Sequence, residues 1–261
     1  MKQIPIRHIK EAGSTESFSI REVGDMVQEL HRHDFFYLLV LKKGKGTHAI
    51  DFIPYEVSDN TVFFMRPGQV HELTLKAGSK GYLLAFKAGF HTTKSSTNYY
   101  QPNAESFSKL HSILTYIFRE YTDQQEGYQK VIKANLDIFF IELLRLHGKS
   151  NAATYEQERL EEFLSLLETH ITEHKQASQY AAMLHLSPYQ LNAITKATLG
   201  KTSSGLINER IILESKRYLL ATTEQVNQVA WYLGYEDVSY FIRFFKKHTG
   251  YSPEAFRQKY R

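Results

Sequence analysis

The chain has no cysteine, which removes disulfides, thiolate nucleophiles and zinc-finger ligation together. It also has no long apolar run. Charges at Lys2, Arg7, Lys10 and Glu11 stud its first segment, so no signal peptide is expected. The most apolar stretch, Ile138–Ile141, is flanked by Asp137 and Glu142 and is far too short to span a bilayer. These absences predict a soluble cytoplasmic protein with no membrane partner. Charge of one sign is scarce as well. A net +4 over 261 residues is too little for a non-specific nucleoid protein. That charge is unevenly placed: from Ser178 onward eleven Lys and Arg stand against six Asp and Glu. The preceding segment is acidic, with Glu156, Glu158, Glu161, Glu162, Glu168 and Glu173 against Arg159 and Lys175. A weakly basic domain still binds DNA when its cations share a face, because phosphate neutralisation is local. The length exceeds the usual single domain and predicts two.

What is present is clearest in Gly234–Pro253, reading GYEDVSYFIRFFKKHTGYSP. Ala230, Trp231 and Leu233 close an apolar helix that stops at Gly234, a residue free to take the left-handed turn conformation. Asp237 and Ser239 offer N-cap oxygens to a second helix. In it Phe241, Phe244 and Phe245 fall at i, i+3 and i+4, which predicts one buried stripe. Tyr240, Ile242, Arg243, Lys246 and Lys247 remain on the other faces. Gly250 ends that helix, and Ser252-Pro253 opens another. Helix, glycine turn and exposed basic helix read as a helix-turn-helix.

The same grammar occurs about fifty residues earlier. Ala181–Leu184 ends at His185-Leu186, Ser187-Pro188 opens a helix, and Leu191 and Ile194 take the apolar positions. Lys196 matches Lys246, Gly200 matches Gly250, and Thr202 matches Ser252, with one residue inserted in the second turn. His185 replaces the turn glycine and tolerates the left-handed region better than most residues. Thr195 sits where the second copy has Phe245. The repeat predicts two such units held by a helix carrying Leu206, Ile207, Arg210, Ile211, Glu214, Tyr218 and Leu219.

The run from Ser178 to Phe256 resembles the DNA-binding domain of the AraC/XylS family of bacterial transcription regulators. The resemblance covers the C-terminal part of the chain closely and the rest more loosely. It implies double-stranded DNA as partner. It also implies DNA contacts at Ser187, Tyr189, Gln190, Asn192, Ala193 and Lys196 in the first copy. In the second copy the corresponding positions are Val238, Ser239, Tyr240, Ile242, Arg243, Lys246 and Lys247. Asn192 suits paired bonds to adenine, and Arg243 suits guanine or phosphate. RNA polymerase is a further partner in keeping with the resemblance.

The first hundred residues read as β. Strands are expected at Phe35–Leu41, Thr47–Phe52, Asn60–Met65 and Gly81–Phe86, with turns at Gly44, Gly46 and Arg66-Pro67-Gly68. His31-Arg32-His33 precedes the first of these strands and His71 follows a later one. This arrangement is similar to a cupin barrel, the effector domain often joined to this family. In metal cupins two histidines, a glutamate and a distant histidine hold one ion. Here the glutamate position is Tyr37, or Leu38 if the register slips. Two or three imidazoles without that carboxylate could still hold a transition metal, but no metal, cofactor or catalytic residue is assigned. His31, His33, Tyr37 and His71 are instead read as lining a pocket for a small-molecule effector. A metal-dependent cupin enzyme with a helical assembly domain is the alternative, and the missing carboxylate argues against it.

Between these parts the pattern is helical. Leu110, Ile113, Leu114, Ile117 and Phe118 form one stripe, and Ile132, Leu136, Phe139, Leu143 and Leu146 another. Val131, Ile138, Ile141 and Leu144 add apolar surface on further sides, which predicts a homodimer through residues 105–147. The small polar run Gly148–Thr154 marks the interdomain junction. The expected fold is α+β. It has a cupin-like barrel over 1–102, a helical dimerisation segment over 103–149 and a linker over 150–156. An all-α double helix-turn-helix domain then occupies 157–261.

Overall fold

A computed structural model describes residues 6–7, 17–91, 97–146 and 155–260. They fall into two compact units that divide at Lys149/Ser150. The run Gly148–Thr154, read above as the junction, lies outside the described residues.

The N-terminal unit contains β1 (Ile6–Arg7), β2 (Phe18–Val23), β3 (Met26–His33), β4 (Phe36–Lys43) and β5 (Gly46–Ile50). It continues with β6 (Ile53–Val57), β7 (Thr61–Met65), β8 (Val70–Leu75), β9 (Lys80–Phe86) and β10 (Tyr99–Tyr100). The strands form two five-stranded sheets, ordered β1-β3-β8-β5-β6 and β10-β7-β4-β9-β2. Among the described residues no ladder joins the two, so the barrel is open rather than closed. The four strands expected from sequence are present as β4, β5, β7 and β9. Strands β2, β3, β6 and β8 were not expected, and His31 and His33 lie inside β3 rather than ahead of the first strand.

Strand β4 explains why its sequence reads as a continuous apolar run. Tyr37, Leu39 and Leu41, together with Phe63 of β7, face Ile50, Leu73 and Leu75 of the opposite sheet. Leu38 and Val40 face the other way, towards Leu110, Leu114, Leu136 and Phe139. A strand covered on both faces has no polar side to alternate with. The covering helices are α1 (Ala104–Asp123) and α2 (Tyr128–Arg145). Asn103 caps α1 by accepting from Ser106 N at 2.9 Å. The expected stripes are confirmed at Leu110, Leu114, Ile117, Ile132, Leu136, Phe139 and Leu143, all buried. Ile138, Ile141 and Leu144 point to solvent, 44–49% exposed.

The C-terminal unit holds α3 (Tyr155–His170), α4 (Ala177–Met183), α5 (Pro188–Leu199) and α6 (Ser203–Ala221). It ends with α7 (Val226–Tyr232), α8 (Val238–Thr249) and α9 (Pro253–Tyr260). Helix α6 lies between the two repeats and packs against α5, α7, α8 and α9. Its Leu206, Ile207, Ile211, Leu219 and Leu220 are buried. Arg257 Nε donates to the Leu219 carbonyl at 2.8 Å and so fastens α9 to α6. No helix of the described residues is long and apolar enough to cross a membrane.

Two details of the apolar pattern differ from expectation. Trp231 is 58% exposed, because α7 turns Val229, Ala230 and Leu233 inward instead. Phe244 is only half-buried, among Tyr235, Tyr240 and His248, while Phe241 and Phe245 are fully buried.

Candidate functional site

The two repeats close their turns with the same bond. Leu186 N donates to the Ala181 carbonyl at 2.8 Å, and Tyr235 N to the Ala230 carbonyl at 2.9 Å. Each bond needs a left-handed residue just before it, as in a Schellman motif. His185 supplies φ 56° in the first turn and Gly234 φ 74° in the second. The second turn then takes one more residue, the insertion read from the sequence. Ser187 begins α5 with a capping box: its Oγ accepts from Gln190 N at 3.2 Å, and Gln190 Oε1 accepts from Ser187 N at 2.8 Å. Asp237 begins α8 by accepting from Ser239 N at 2.8 Å and Tyr240 N at 3.1 Å. Gly200 and Gly250 end both helices in the left-handed region.

On α8 the residues Ser239, Tyr240, Arg243, Lys246 and Lys247 are exposed, and Val238 and Ile242 are half-buried. Among the described residues Arg243 forms an ion pair with Asp237 alone, at 3.8 Å, with both side chains mostly in solvent, so the contact restrains it little. On α5 Tyr189 is 82% exposed, and Ala193 and Lys196 are exposed beside it. Asn192 departs from expectation. Its side-chain oxygen accepts from Ser203 N at 3.3 Å, which turns it inward to hold the start of α6. Ser187 and Gln190 are likewise engaged in capping. The second turn has a close neighbour of its own: a Cβ on Gly234 would lie 2.1 Å from the Thr172 carbonyl. Lys175 Nζ donates to that carbonyl at 3.0 Å and sits 5.3 Å from the Tyr235 ring centre. Burial lowers the Lys175 pKa and raises that of Tyr235.

The structure brings His31, His33, Tyr37 and His71 together between the two sheets, all buried. They do not line an open mouth. Strand β3 carries His31 and His33 two residues apart on one face, and β8 sets His71 opposite His31. His31 Nδ1 meets the Glu29 carbonyl at 2.7 Å. His33 Nε2 and His71 Nε2 share a hydrogen bond of 2.8 Å. Tyr37 stacks on His33 with ring centres 5.1 Å apart. A fourth imidazole, His48 on β5, escaped the sequence reading. Its Nε2 lies 3.0 Å from His71 Nδ1 and its ring stands edge-on to Phe63. Burial first, and His31 second, depress the His48 pKa to about 3, so it is neutral. His48 has no histidine near it in sequence, and only the pairing of β5 with β8 reveals it.

Comparison with known proteins finds a family match in each unit. Residues 180–259 match the helix-turn-helix domain family, and residues 20–129 match the AraC-like ligand binding domain family. The chain is similar to the HTH-type transcriptional activator RhaS of Salmonella arizonae. The two are 24% identical over 245 residues, covering 87% of each chain. RhaS of Enterobacter sp. is 22% identical over 250 residues with the same coverage. Among solved structures, ToxT from Vibrio cholerae aligns over 92% of this chain and 97% of its own, at 15% identity and TM-score 0.46.

Proposed function

The chain belongs to the AraC family of DNA-binding transcription regulators, and from that premise we propose that α5 and α8 both read an operator. The observation that carries this is the repeated turn, built on the same bond twice, with a solvent-facing cationic helix after the second copy. Arg243 reads guanine or grips phosphate, since its guanidinium offers two parallel donors. Lys246, Lys247 and Lys196 neutralise phosphates. Tyr189 and Tyr240 reach a thymine methyl or the backbone. Ser239 and the half-buried Val238 and Ile242 border that surface. The family match over 20–129 and the activator names of the relatives support an effector-binding N-terminal unit, with RNA polymerase as a further partner.

The exposed stripe Ile138, Ile141 and Leu144 on α2 is the surface we assign to a two-fold homodimer, which would bury it. Strand β4 gives such a device its transmission. Tyr37 touches the histidine cluster, and the next residue, Leu38, faces the helices. A change in ring packing on one face therefore presses on α1 and α2 through the other. A ligand shifts such an equilibrium only by its differential affinity for two states, and couplings of this kind are typically about 1–3 kcal/mol.

The test is selection of binding sites by the full-length protein from a random DNA pool. One reproducible motif is expected, and a pool without enrichment would sink the assignment. For the dimer, Ile141→Glu should shift the sedimenting species to monomer and weaken operator binding through lost avidity. Unchanged sedimentation would place the contact elsewhere.

A further inference from the structure

The layer between the second sheet and its two covering helices is not filled throughout. A cleft of about 90 Å³ opens between β2, the segment after β9 and the turn from α1 to α2. Phe18, Phe90, Tyr121, Tyr128 and Ile132 form its walls, and the exposed Gln129 stands at its rim. It belongs to the apolar layer that Leu38 and Val40 share with α1 and α2, not to the histidine cluster.

The walls suit a flat ring. Phe18 and Phe90 stack with centres 4.8 Å apart, and Tyr121 meets Phe18 edge-on at 5.8 Å. An aromatic guest extends such a group by contacts of the same kind. The volume is below the roughly 150 Å³ of a closed cavity that takes benzene. This cleft is open on one side, so a single ring enters and leaves one edge in solvent. Tyr128 Oη accepts from Gln129 Nε2 at 3.3 Å, which leaves its own O–H to donate.

The charge beside the cleft is positive. Lys133 on α2 holds its ammonium 4.9 Å from the Phe90 ring centre. Among the described residues that line the cleft none is acidic, and Asp123 and Glu126 flank the turn without lining it. Tyr128 and Gln129 also open α2, an 18-residue helix whose N-cap is Gly127. That end has no side-chain cap and no acid in its first turn, so it favours an anion. A cation would meet repulsion from both Lys133 and the helix end, which disfavours the ammonium guests that aromatic boxes otherwise take.

We propose that this cleft binds a single-ring aromatic carboxylate, and that this ligand is the effector of the N-terminal unit. The ring rests on Phe18, Phe90 and Tyr128, and the carboxylate meets Lys133 and the Tyr128 hydroxyl. The effector role rests on the regulator reading above. Lys133 and Asp137 stand one helical turn apart on α2, and Asp137 Oδ1 accepts from His91 Nδ1 at 2.9 Å. Helix α2 is thus held to the Phe90–His91 segment at two successive turns. A carboxylate that draws Lys133 off Phe90 loosens the first of them. Ile138, the next residue after Asp137, begins the exposed stripe assigned to the dimer.

The full-length protein is titrated with benzoate by isothermal calorimetry, beside the neutral benzyl alcohol and the saturated cyclohexanecarboxylate. One benzoate per chain is expected. Benzyl alcohol should bind about tenfold more weakly and cyclohexanecarboxylate several-fold more weakly. Lys133→Met changes an exposed side chain and should abolish the preference for benzoate over the alcohol. Phe90→Leu should weaken both, and His31→Gln should change neither, with folding checked by circular dichroism. A folded wild-type protein without saturable benzoate binding overturns the site, as does a Lys133→Met protein that keeps the preference. Binding lost in folded His31→Gln but kept in Phe90→Leu would move the ligand to the barrel. Affinity for the operator selected above is then measured with and without benzoate. A several-fold change supports the effector role, and equal affinity removes it. Operator binding by a chain that takes no benzoate sinks the cleft and keeps the regulator. A benzoate site on a chain that binds no operator does the reverse.

Discussion

In the first turn a histidine holds the left-handed backbone that glycine holds in the second. His185 at φ 56° and Gly234 at φ 74° close the same bond, so backbone conformation alone does not demand glycine. The Thr172 carbonyl does: it leaves no room for a Cβ at Gly234. The recognition helices differ in the same spirit. Helix α8 rests on two buried phenylalanines and exposes Arg243, Lys246 and Lys247, whereas α5 rests on Leu191, Ile194 and Thr195 and exposes Tyr189, Ala193 and one lysine. One scaffold thus carries two different exposed faces, with most of the fixed charge in the second copy.

Making the second turn like the first is the strongest way to break this comparison. Gly234→His adds left-handed strain and a clash, together roughly 2–5 kcal/mol of lost stability. His185→Gly should change stability by less than about 1 kcal/mol. Urea unfolding of both variants decides, and a Gly234→His protein as stable as wild type would show that the Thr172 contact yields freely. Arg243→Ala comes next, weakening operator binding by about 1–3 kcal/mol in a gel shift at matched salt. Unchanged affinity with a native melting curve would remove Arg243 from the interface. Asn192→Ala should cost about 0.5–1.5 kcal/mol of stability through the lost bond to Ser203 N. It should leave the sequence preferred from a random pool unaltered, and an altered preference would return Asn192 to the groove. The smallest effects are electrostatic: Lys247→Gln lowers the log–log salt slope of binding by about one, and Ala193→Arg raises it by about one. A flat response would mean neither position meets phosphate.

Residues whose role is local were legible in the sequence. The turn at Gly234, the serine and aspartate caps and the αL ends at Gly200 and Gly250 are consequences of backbone chemistry within a few positions. The stripe Leu110, Leu114, Ile117 was legible because helical period and burial coincide. Strand β3 was not, because Gln28, Glu29, Arg32 and two histidines give it the composition of a loop. His48 was hidden for a different reason: which residues share a site across strands is set by register. The bond from Ser203 N to Asn192 was not legible, because spacing gives the face of a helix but not the hydrogen bond a short amide finds there. Trp231 shows the converse, an apolar residue left outside while its neighbours Ala230 and Leu233 turn in.

The double coverage of β4 has a consequence for chain length. Its odd residues Tyr37, Leu39 and Leu41 and its even residues Leu38 and Val40 serve different partners, and the side-chain period of a strand is two. Deleting or inserting one residue near the middle of β4 exchanges the two sets for part of the strand. It then presents Leu38 or Val40 to the histidines and Tyr37 or Leu39 to the helices. A change of two residues restores the alternation. A library of length variants through β4 should therefore show an odd–even pattern of survival, with single-residue changes lost and paired ones partly retained.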